Sequence, residues 1–477
     1  MATTPDVESA VSVTAEVREG EYGAKVNAVE PGGAEYIPLN DRHGRPLDLF
    51  WTWLSPNLEF ATVFIGVLAV AAFGQSLPAA IAAIVLGTAL GSVTQAILSA
   101  RGPSFGVPQM IMSRIPFGFR GNVLPAGLNA VVAGIGWFAV NSVSGTLALN
   151  ALLGIPNLLA LLIVVVAQIA VAFMGHNFIH RFEKVALPLL AVAFTVATVL
   201  IAAKSHPGAL VANPKVNPVA AFTLTLGTTF GYAAGWNPYA TDYTRYLPPD
   251  TDRRATGIWA GLGIFVSCVV LEIAGALSVS LTADPFTNAT AAFTSSLPTF
   301  FAKLTLLAIV VGAISANAIN VYSGAMSFLA LGIKIRLGLA RAIVAAVFGV
   351  VGFAVAWDGL KDVHKYEDFL LVIAYWIGPW LAVVLVDQYL RRGHQVSGFL
   401  FDRRHNPFAG WVAMLTGVVV SVWLFSNQAK YTGPFPKHFT WAGDIAFEVG
   451  FVISGLLYFG LYQVQRRERD EVLVLPD

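Results

Sequence analysis

The sequence predicts an all-α polytopic membrane protein with twelve transmembrane helices. Of its 477 residues, 56% are hydrophobic and only 12% are charged, whereas soluble domains average about 25% charged residues. Apolar runs of about 18 residues or more, each long enough to cross a bilayer, recur along the chain. Basic residues concentrate in every second loop between these runs. Together these observations indicate a lipid bilayer as the surroundings of most of the chain.

The apolar runs also predict a domain organisation. A disordered cytoplasmic tail covers 1–48, five-helix repeats cover 49–203 and 204–389, helices 11 and 12 lie in 390–465, and 466–477 form a second tail. The individual spans are predicted at 50–75, 77–100, 123–150, 156–175, 184–203, 217–240, 256–281, 299–331, 339–357, 366–389, 407–426 and 441–464.

Charge placement orients these spans. The five loops on the side of the N-terminus hold 15 of the 29 Lys and Arg residues, and the opposite loops hold 7. Because basic loops remain in the cytoplasm, both termini are expected to be cytoplasmic in a multi-pass protein of the cell membrane, either plasma or inner. The net charge of +1 argues against a nucleic-acid partner, which rewards a concentrated basic face.

The sixth span is interrupted by Gly235-Trp236-Asn237-Pro238. Pro238 cannot donate a backbone hydrogen bond, and its ring disfavours helix at the preceding residue. Backbone groups freed in this way are tolerated in a membrane only inside protein or beside water. A broken helix with an aromatic ring at the break therefore predicts a binding site that includes Gly235 and Trp236.

The first span carries a similar interruption, Ser55-Pro56-Asn57-Leu58-Glu59. Interrupted helices in corresponding positions of two halves indicate an inverted repeat with a site near the midplane. Spans 1–5 and 6–10 would be the repeats. Asn57 and Glu59 at this interruption, with Glu272 in the seventh span, are the candidates for ion coupling, since acids within a membrane usually handle ions or protons. The alternatives are a helix-end anchor for Glu59 and a bond to a neighbouring helix for Glu272.

Amides mark the third and eighth spans. Trp137 and Asn141 are four residues apart and share one helix face, which suits a flat ligand with ring N–H and C=O groups. Asn317 and Asn320 are three residues apart on the eighth span, and buried amides require partners. The predicted substrate residues are thus Trp137, Asn141, Asn317 and Asn320 with the sixth-span break. The alternative is that these polar groups join neighbouring helices.

Other classes of protein find less support. The sequence contains no Walker A, Gly-x-Ser-x-Gly or His-Glu-x-x-His motif, and no cofactor, resident metal or enzymatic activity is expected. A channel would place polar residues along a pore, whereas here they cluster on about four spans. An amino-acid symporter would need a helix-end nest for a carboxylate, which a Trp at the break does not supply.

Four stretches resemble the nucleobase:cation symporter-1 family, in particular its purine/cytosine permease branch. They are Gly106–Gly118 after the second span, Gly136–Asn141, Gly235–Pro248 and Ser315–Ser323. The resemblance covers about 45–465. It implies a LeuT-like five-plus-five inverted repeat with broken helices 1 and 6, plus two extra helices. It also implies a secondary active transporter that imports cytosine or a purine with a coupled cation by alternating access.

Within this resemblance, the ring would lie between Trp137 and Trp236, and Asn141 and Asn317 would bind its edge. Hydantoin-transporting relatives have Gln in place of Asn141. Sodium-coupled relatives have two hydroxyl side chains where this chain reads Val310-Val311-Gly312-Ala313, so H⁺ is favoured over Na⁺, with Glu59 as the protonated group. The alternative is an allantoin, hydantoin, uracil or hydroxymethylpyrimidine permease of the same family, with Na⁺ as its coupling ion.

Overall fold

The computed structural model describes residues 34–173, 176–333, 337–362 and 365–473, and the regular secondary structure of these residues is helical. Within them there is no β-sheet, and Asn427 and Thr432 form an isolated bridge. The predicted all-α fold class is confirmed. Residues 1–33 of the predicted first tail lie outside the described ranges, as do residues 474–477 of the second.

The helices follow the predicted apolar runs closely. In the first half they are α1 (Pro46–Leu54), α2 (Phe60–Val67), α3 (Leu77–Ser99), α4 (Val123–Leu153), α5 (Asn157–Phe173) and α6 (His176–Lys204). In the second half they are α7 (Pro218–Ala234), α8 (Ala240–Thr244), α9 (Arg253–Ser278), α10 (Thr299–Ala330), α11 (Leu337–Gly359), α12 (Lys365–Leu390), α13 (Ala409–Phe425) and α14 (Ala446–Leu473).

Seven helices of the described ranges are long and apolar enough to cross a membrane, and the pair Pro46–Asn57 and Phe60–Ala72, bent by 64°, would make an eighth. Further apolar helices, α7 and α13 among them, have 17 residues. These helices show a multi-pass membrane protein. The count of twelve spans stays a prediction.

Both predicted interruptions fall where helical structure stops. After α1 a 3₁₀ turn covers Ser55–Asn57, and Glu59 is extended (φ −151°, ψ 173°) before α2 begins. Helix α7 ends at Ala234, and a 3₁₀ turn at Asn237–Tyr239 precedes α8. Pro56 and Pro238 lie in these two turns, where a missing backbone donor is least costly.

Small residues let the interrupted segments approach their neighbours. A Cβ on Gly66 of α2 would lie 1.6 Å from the carbonyl oxygen of Glu272, and one on Gly275 of α9 would lie 1.9 Å from that of Val63. The two helices therefore cross backbone to backbone, as membrane helices do at glycines. Gly87 of α3 meets α7 in the same way, since a Cβ there would lie 2.0 Å from the Thr229 hydroxyl.

Two predicted boundaries differ from the structure. Residues 34–45, placed in the first tail, are packed, and Ile37 and Arg42 are buried. Helix α14 continues to Leu473, past the predicted end at 464. Charged residues such as those in 466–472 extend a helix beyond the bilayer without an apolar signal, and the burial of Ile37 comes from contacts distant in sequence. The segment after the second span contains short helices at Gly102–Phe105, Gln109–Met112 and Arg114–Gly121.

Candidate functional site

A side-chain hydrogen bond joins the two interruptions. The indole Nε1 of Trp236 donates to Oδ1 of Asn57 over 2.8 Å, and Nδ2 of Asn57 donates to the carbonyl oxygen of Trp53 over 2.6 Å. The Trp236 ring packs edge-on against Trp53 and Tyr239, each with 5.8 Å between centroids. Asn57, predicted as an ion-coupling residue, thus holds Trp236 in place.

Trp137 lies at the end of a π-helical turn, Val132–Trp137, within α4. Such turns often occur at functional sites. Its ring is edge-on to Tyr232 at 5.4 Å and to Phe369 at 5.2 Å. A Cβ on Gly235 would lie 3.0 Å from its Cζ2 atom. Gly235 therefore brings the sixth-span break into contact with Trp137, and the structure gathers three predicted site residues in one place.

The predicted amides form one buried network. Nδ2 of Asn141 donates to Oδ1 of Asn317 over 2.9 Å, and Nδ2 of Asn320 approaches the same oxygen at 3.4 Å. Nδ2 of Asn317 in turn donates to the carbonyl oxygen of Phe138 over 2.9 Å. In this structure the amides join α4 to α10. Among the described residues, Oδ1 of Asn320 is buried without a hydrogen-bond partner.

Glu59 is fully buried between the two breaks. Its Oε1 lies 3.5 Å from the hydroxyl of Tyr232, and within the described ranges its Oε2 has no hydrogen-bond partner. Helix α10 packs directly against this carboxylate. A Cβ on Gly312 would lie 2.6 Å from the carbonyl oxygen of Leu58 and 3.0 Å from Cβ of Glu59. The stretch that lacks the two hydroxyls of sodium-coupled relatives is therefore the one that faces Glu59.

Glu272, the other predicted acid, lies at the crossing of α9 with α2 and α3. Its Oε2 accepts a hydrogen bond from Oγ1 of Thr88 over 3.0 Å. Its Oε1 is buried and finds no partner in the described part of the chain. The bond to Thr88 is of the kind that joins neighbouring membrane helices. No group of three or more His, Cys, Asp or Glu suited to a metal ion occurs among the described residues.

An apolar cavity of about 170 Å³ reaches this region from one end of the bundle. Gly136, Tyr366 and Phe369 line it next to Trp137, and Phe60 and Phe64 of α2 line it opposite. A Cβ on Gly136 would lie 2.3 Å from the Phe369 ring. Phe369 therefore lies between the cavity and Trp137. Charged residues form its mouth, namely Asp358, Asp362 and Lys365.

The opposite end of the bundle is closed around Arg245. This side chain is fully buried and donates to the carbonyl oxygen of Glu35 over 3.3 Å and to the hydroxyls of Tyr246 and Tyr322 over 3.1 and 3.2 Å. It also interacts electrostatically with Asp242.

The segment 34–45 covers this end. The backbone N–H of Ile37 donates to the carbonyl oxygen of Gly106 over 3.0 Å, and Nη1 of Arg42 donates to that of Pro103 over 2.6 Å. The segment therefore joins the loop after the second span to the end of the sixth. Its polar composition gave no signal of this role.

Several residues of the site were not predicted, above all Tyr232, Thr62 and Phe369. Tyr232 lies three residues before Gly235, and Thr62 lies three residues after Glu59, so each lies next to a predicted interruption. A hydroxyl within one helical turn of each break was the available signal. Phe369 belongs to an ordinary apolar run, and nothing in the sequence distinguishes it.

A family model described as a permease for cytosine/purines, uracil, thiamine and allantoin matches residues 36–450. The chain belongs to this family. The resemblance to the nucleobase:cation symporter-1 family is thereby confirmed, and the protein is a permease rather than an enzyme.

The similar proteins agree with this assignment. This permease is 29% identical to a putative purine-cytosine permease of Bacillus subtilis, with 92% of this chain and 97% of the relative covered. It is 26% identical to a purine-cytosine permease of Emericella nidulans, with 91% and 88% covered. It is also 23% identical to a hydantoin permease of Microbacterium maritypicum, with 79% and 78% covered.

Solved structures share the fold. The transporter Mhp1, of the nucleobase-cation-symport-1 family, in a closed conformation with bromovinylhydantoin bound, gives a TM-score of 0.71 at 19% identity, with 93% of this chain and 95% of Mhp1 covered. Its inward-facing conformation gives a TM-score of 0.70 at 18% identity, with 95% and 100% covered.

Proposed function

We propose that this permease imports a nucleobase, cytosine or a purine, together with H⁺ by alternating access. The observation that carries the proposal is the meeting of the two interrupted segments, where Asn57 binds the Trp236 indole and the buried carboxyl group of Glu59 lies beside the Tyr232 hydroxyl. When the substrate site and the ion site are built from the same two interrupted helices, a movement of these helices changes both sites together. The purine-cytosine permeases among its relatives support the substrate class.

For the substrate, the ring would enter between Trp137 and Trp236 beside Gly235. Aromatic walls favour a flat heterocycle through stacking. The N–H and C=O groups of the bound heterocycle would form hydrogen bonds to Asn141 and Asn317 in place of the bond between these two amides. A ring N–H would also donate to Oδ1 of Asn320. An exchange of one hydrogen bond for others costs little, whereas an unsatisfied buried amide costs about 1–3 kcal/mol.

For the ion, Glu59 is the proposed proton carrier. Na⁺ prefers several oxygen ligands, as hard cations do. The stretch Val310–Ala313 offers no side-chain oxygen, and Gly312 lies against Glu59. A carboxylate that faces this gap can take up a proton without further ligands. Glu272 is proposed to join helices, because its Oε2 is already bonded to Thr88.

For the topology, we propose twelve spans with both termini cytoplasmic in the cell membrane. The first five-helix repeat would cover 49–203 and the second 204–389. Rocking of one group of helices against the other would alternate access. The end covered by residues 34–45 would then face the cytoplasm, and the cavity beside Phe369 would face outward.

A second candidate is a permease for hydantoin or allantoin, coupled to Na⁺. The similarity to the hydantoin permease of Microbacterium maritypicum and to Mhp1 with bromovinylhydantoin bound favours it. The shorter arm of Asn141 and the absent hydroxyls near Gly312 weigh against it. Competition of labelled nucleobase uptake by unlabelled hydantoin and allantoin separates the two candidates.

The substrate proposal is tested by uptake of labelled cytosine, adenine, guanine and uracil into cells that lack their own permeases. Trp236→Ala should lower uptake about 100-fold, since stacking on an aromatic ring contributes about 1–3 kcal/mol per base. Trp423→Ala is the matched control, because Trp423 is 61% exposed on the surface. Absence of saturable uptake for all four bases would refute the substrate class.

The ion proposal is tested in liposomes with an imposed pH gradient. Glu59→Gln should abolish accumulation of nucleobase driven by the gradient, whereas Glu272→Gln should retain it. Accumulation that requires Na⁺ and persists with a protonophore would favour the second candidate instead.

A further inference from the structure

Tyr232 touches both proposed sites from one position. It lies in the last turn of α7 and is buried, and its carbonyl oxygen accepts a hydrogen bond from the backbone N–H of Gly235. Its ring packs edge-on against Trp137 at 5.4 Å, and its hydroxyl points to α2. A single rigid side chain thus connects the aromatic wall of the substrate site with the first-span break.

The hydroxyl of Tyr232 belongs to a chain of three contacts. It lies 2.5 Å from Oγ1 of Thr62 and 3.5 Å from Oε1 of Glu59. Oγ1 of Thr62 lies 2.6 Å from the carbonyl oxygen of Asn57. The chain therefore runs from the carboxyl group of Glu59 to the residue that holds the Trp236 indole.

The number of protons in this chain depends on Glu59. Each hydroxyl supplies one proton, and a carbonyl oxygen or an ionised carboxylate supplies none. With Glu59 ionised, two protons serve three contacts, so one contact is lost. With Glu59 protonated, its carboxyl donates to Tyr232, Tyr232 donates to Thr62, and Thr62 donates to Asn57. All three contacts are then hydrogen bonds.

We propose that Tyr232 and Thr62 are positioning residues that transmit the protonation of Glu59 to the substrate site. This inference rests on the proposed proton symport. When Glu59 loses its proton, its carboxylate accepts a hydrogen bond from the Tyr232 hydroxyl. The Tyr232 oxygen in turn accepts a hydrogen bond from the Thr62 hydroxyl. The carbonyl oxygen of Asn57 then loses its bond from Thr62, which loosens the segment that holds Trp236.

The other groups near Glu59 do not replace Tyr232 as the hydroxyl that contacts its carboxyl group. Cys268 of α9 and Tyr366 of α12 interact electrostatically with Glu59, and Glu272 interacts with both of them. The hydroxyl of Tyr366 donates to the carbonyl oxygen of Ala61 over 3.2 Å, so it is already engaged. Gly312 presents no side chain on the α10 face. Tyr232 is the hydroxyl found within 3.5 Å of the Glu59 carboxylate among the described residues.

The test compares Tyr232→Phe with Tyr389→Phe in liposomes that hold the full-length protein. Both substitutions keep the ring and remove one hydroxyl, and Tyr389 is 62% exposed near the C-terminal end of α12. Tyr232→Phe should lower accumulation driven by a pH gradient about tenfold, since bonds to charged groups are among the strongest in proteins. Exchange of labelled for unlabelled nucleobase without a gradient should remain within about threefold of wild type. Tyr389→Phe should leave both measurements unchanged.

Thr62→Val, which removes the second hydroxyl while it keeps the branched shape, should reproduce the effect of Tyr232→Phe. Wild-type accumulation by Tyr232→Phe would overturn the proposal, as would equal losses of accumulation and exchange. The latter result would indicate a purely structural role.

An infrared titration of the Glu59 carboxyl band separates this proposal from the proposed function. The band is identified by its loss in Glu59→Gln, and its pH midpoint should change in Tyr232→Phe and stay constant in Tyr389→Phe. This readout requires no transported base. If the wild-type protein accumulates no nucleobase, the proposed function fails, and the infrared midpoint still decides whether Tyr232 acts on Glu59. An unchanged midpoint in Tyr232→Phe would overturn the inference.

Discussion

At one end of the bundle an apolar cavity leads to the rings around Trp137, whereas at the other end a packed segment covers the buried Arg245. The cavity end is closed by the ring of Phe369, which packs against Trp137. Such ring contacts depend only weakly on direction. The covered end is closed by hydrogen bonds from Arg245 and Arg42 to backbone carbonyl oxygens. Hydrogen bonds weaken steeply when their geometry is disturbed.

Because their contacts differ, the two ends should open in different ways. Rotation of one aromatic side chain enlarges the cavity and leaves the helices in place. The covered end opens only when several directional bonds to residues 34–45 break together. Substitutions at the covered end should therefore shift the balance between conformations, and substitutions at the cavity end should change entry of the substrate.

Of the substitutions at the two ends, the largest effect is expected for Arg245→Gln, which removes one positive charge from the covered end. Loss of its bonds to Tyr246 and Tyr322 should favour the open form and lower uptake more than about tenfold, because a shift of 1.4 kcal/mol changes a population tenfold. Labelling of Ser323→Cys by a thiol reagent, in a background where the single cysteine is replaced (Cys268→Ala), measures the opening. The exposed Arg254 provides the control Arg254→Ala. Unchanged labelling would mean that Arg245 does not close this end.

A smaller effect is expected for Phe369→Ala at the cavity end. Removal of the ring that separates Trp137 from the cavity should accelerate substrate entry and exit, and weaken retention about threefold to tenfold. Dissociation of bound labelled nucleobase measures this change. Phe300→Ala, at a side chain that is 71% exposed, should have no effect. Slower dissociation in Phe369→Ala would contradict the interpretation of Phe369 as a barrier.

Gly106→Ala tests the covered end through stability. Gly106 has φ +63°, and a Cβ at this position would lie 1.8 Å from Nη2 of Arg42. The left-handed backbone alone costs an alanine about 1–2 kcal/mol, and displacement of Arg42 from Pro103 adds about 1–3 kcal/mol. Gly154→Ala isolates the backbone cost, since Gly154 has φ +69° and a Cβ there would meet none of the described residues within 4 Å. Thermal unfolding in detergent should show the larger loss for Gly106→Ala, and equal losses would mean that Arg42 moves without cost.

The smallest effect is expected at the mouth of the cavity. Nζ of Lys365 lies 2.6 Å from Oδ2 of Asp358, but both side chains are about half exposed. Such ion pairs contribute little because solvent and salt screen them. Uptake by Lys365→Ala should stay within about twofold of wild type at low and high salt. A larger loss that salt abolishes would show that this charge steers substrate into the cavity.

The sequence predicted the elements of the site better than their contacts. The interruptions at Ser55–Glu59 and Gly235–Pro238 were visible because Pro in an apolar run breaks the helical pattern. The sequence indicated that the buried amides of the eighth span need partners, but it did not predict the bond between Asn141 and Asn317. The bond between Trp236 and Asn57 was not visible, since residues 179 positions apart are brought together only by the packing of two helices.

Hydropathy and proline act locally along the chain, so the all-helical membrane fold and the polar residues at membrane depth follow from the amino-acid order alone. The family followed from four short motifs. That Tyr232 reaches both Trp137 and Glu59, and that residues 34–45 cover Arg245, follows from how the helices pack. These contacts depend on glycines such as Gly66 and Gly235, at which helices approach closely enough for distant side chains to meet.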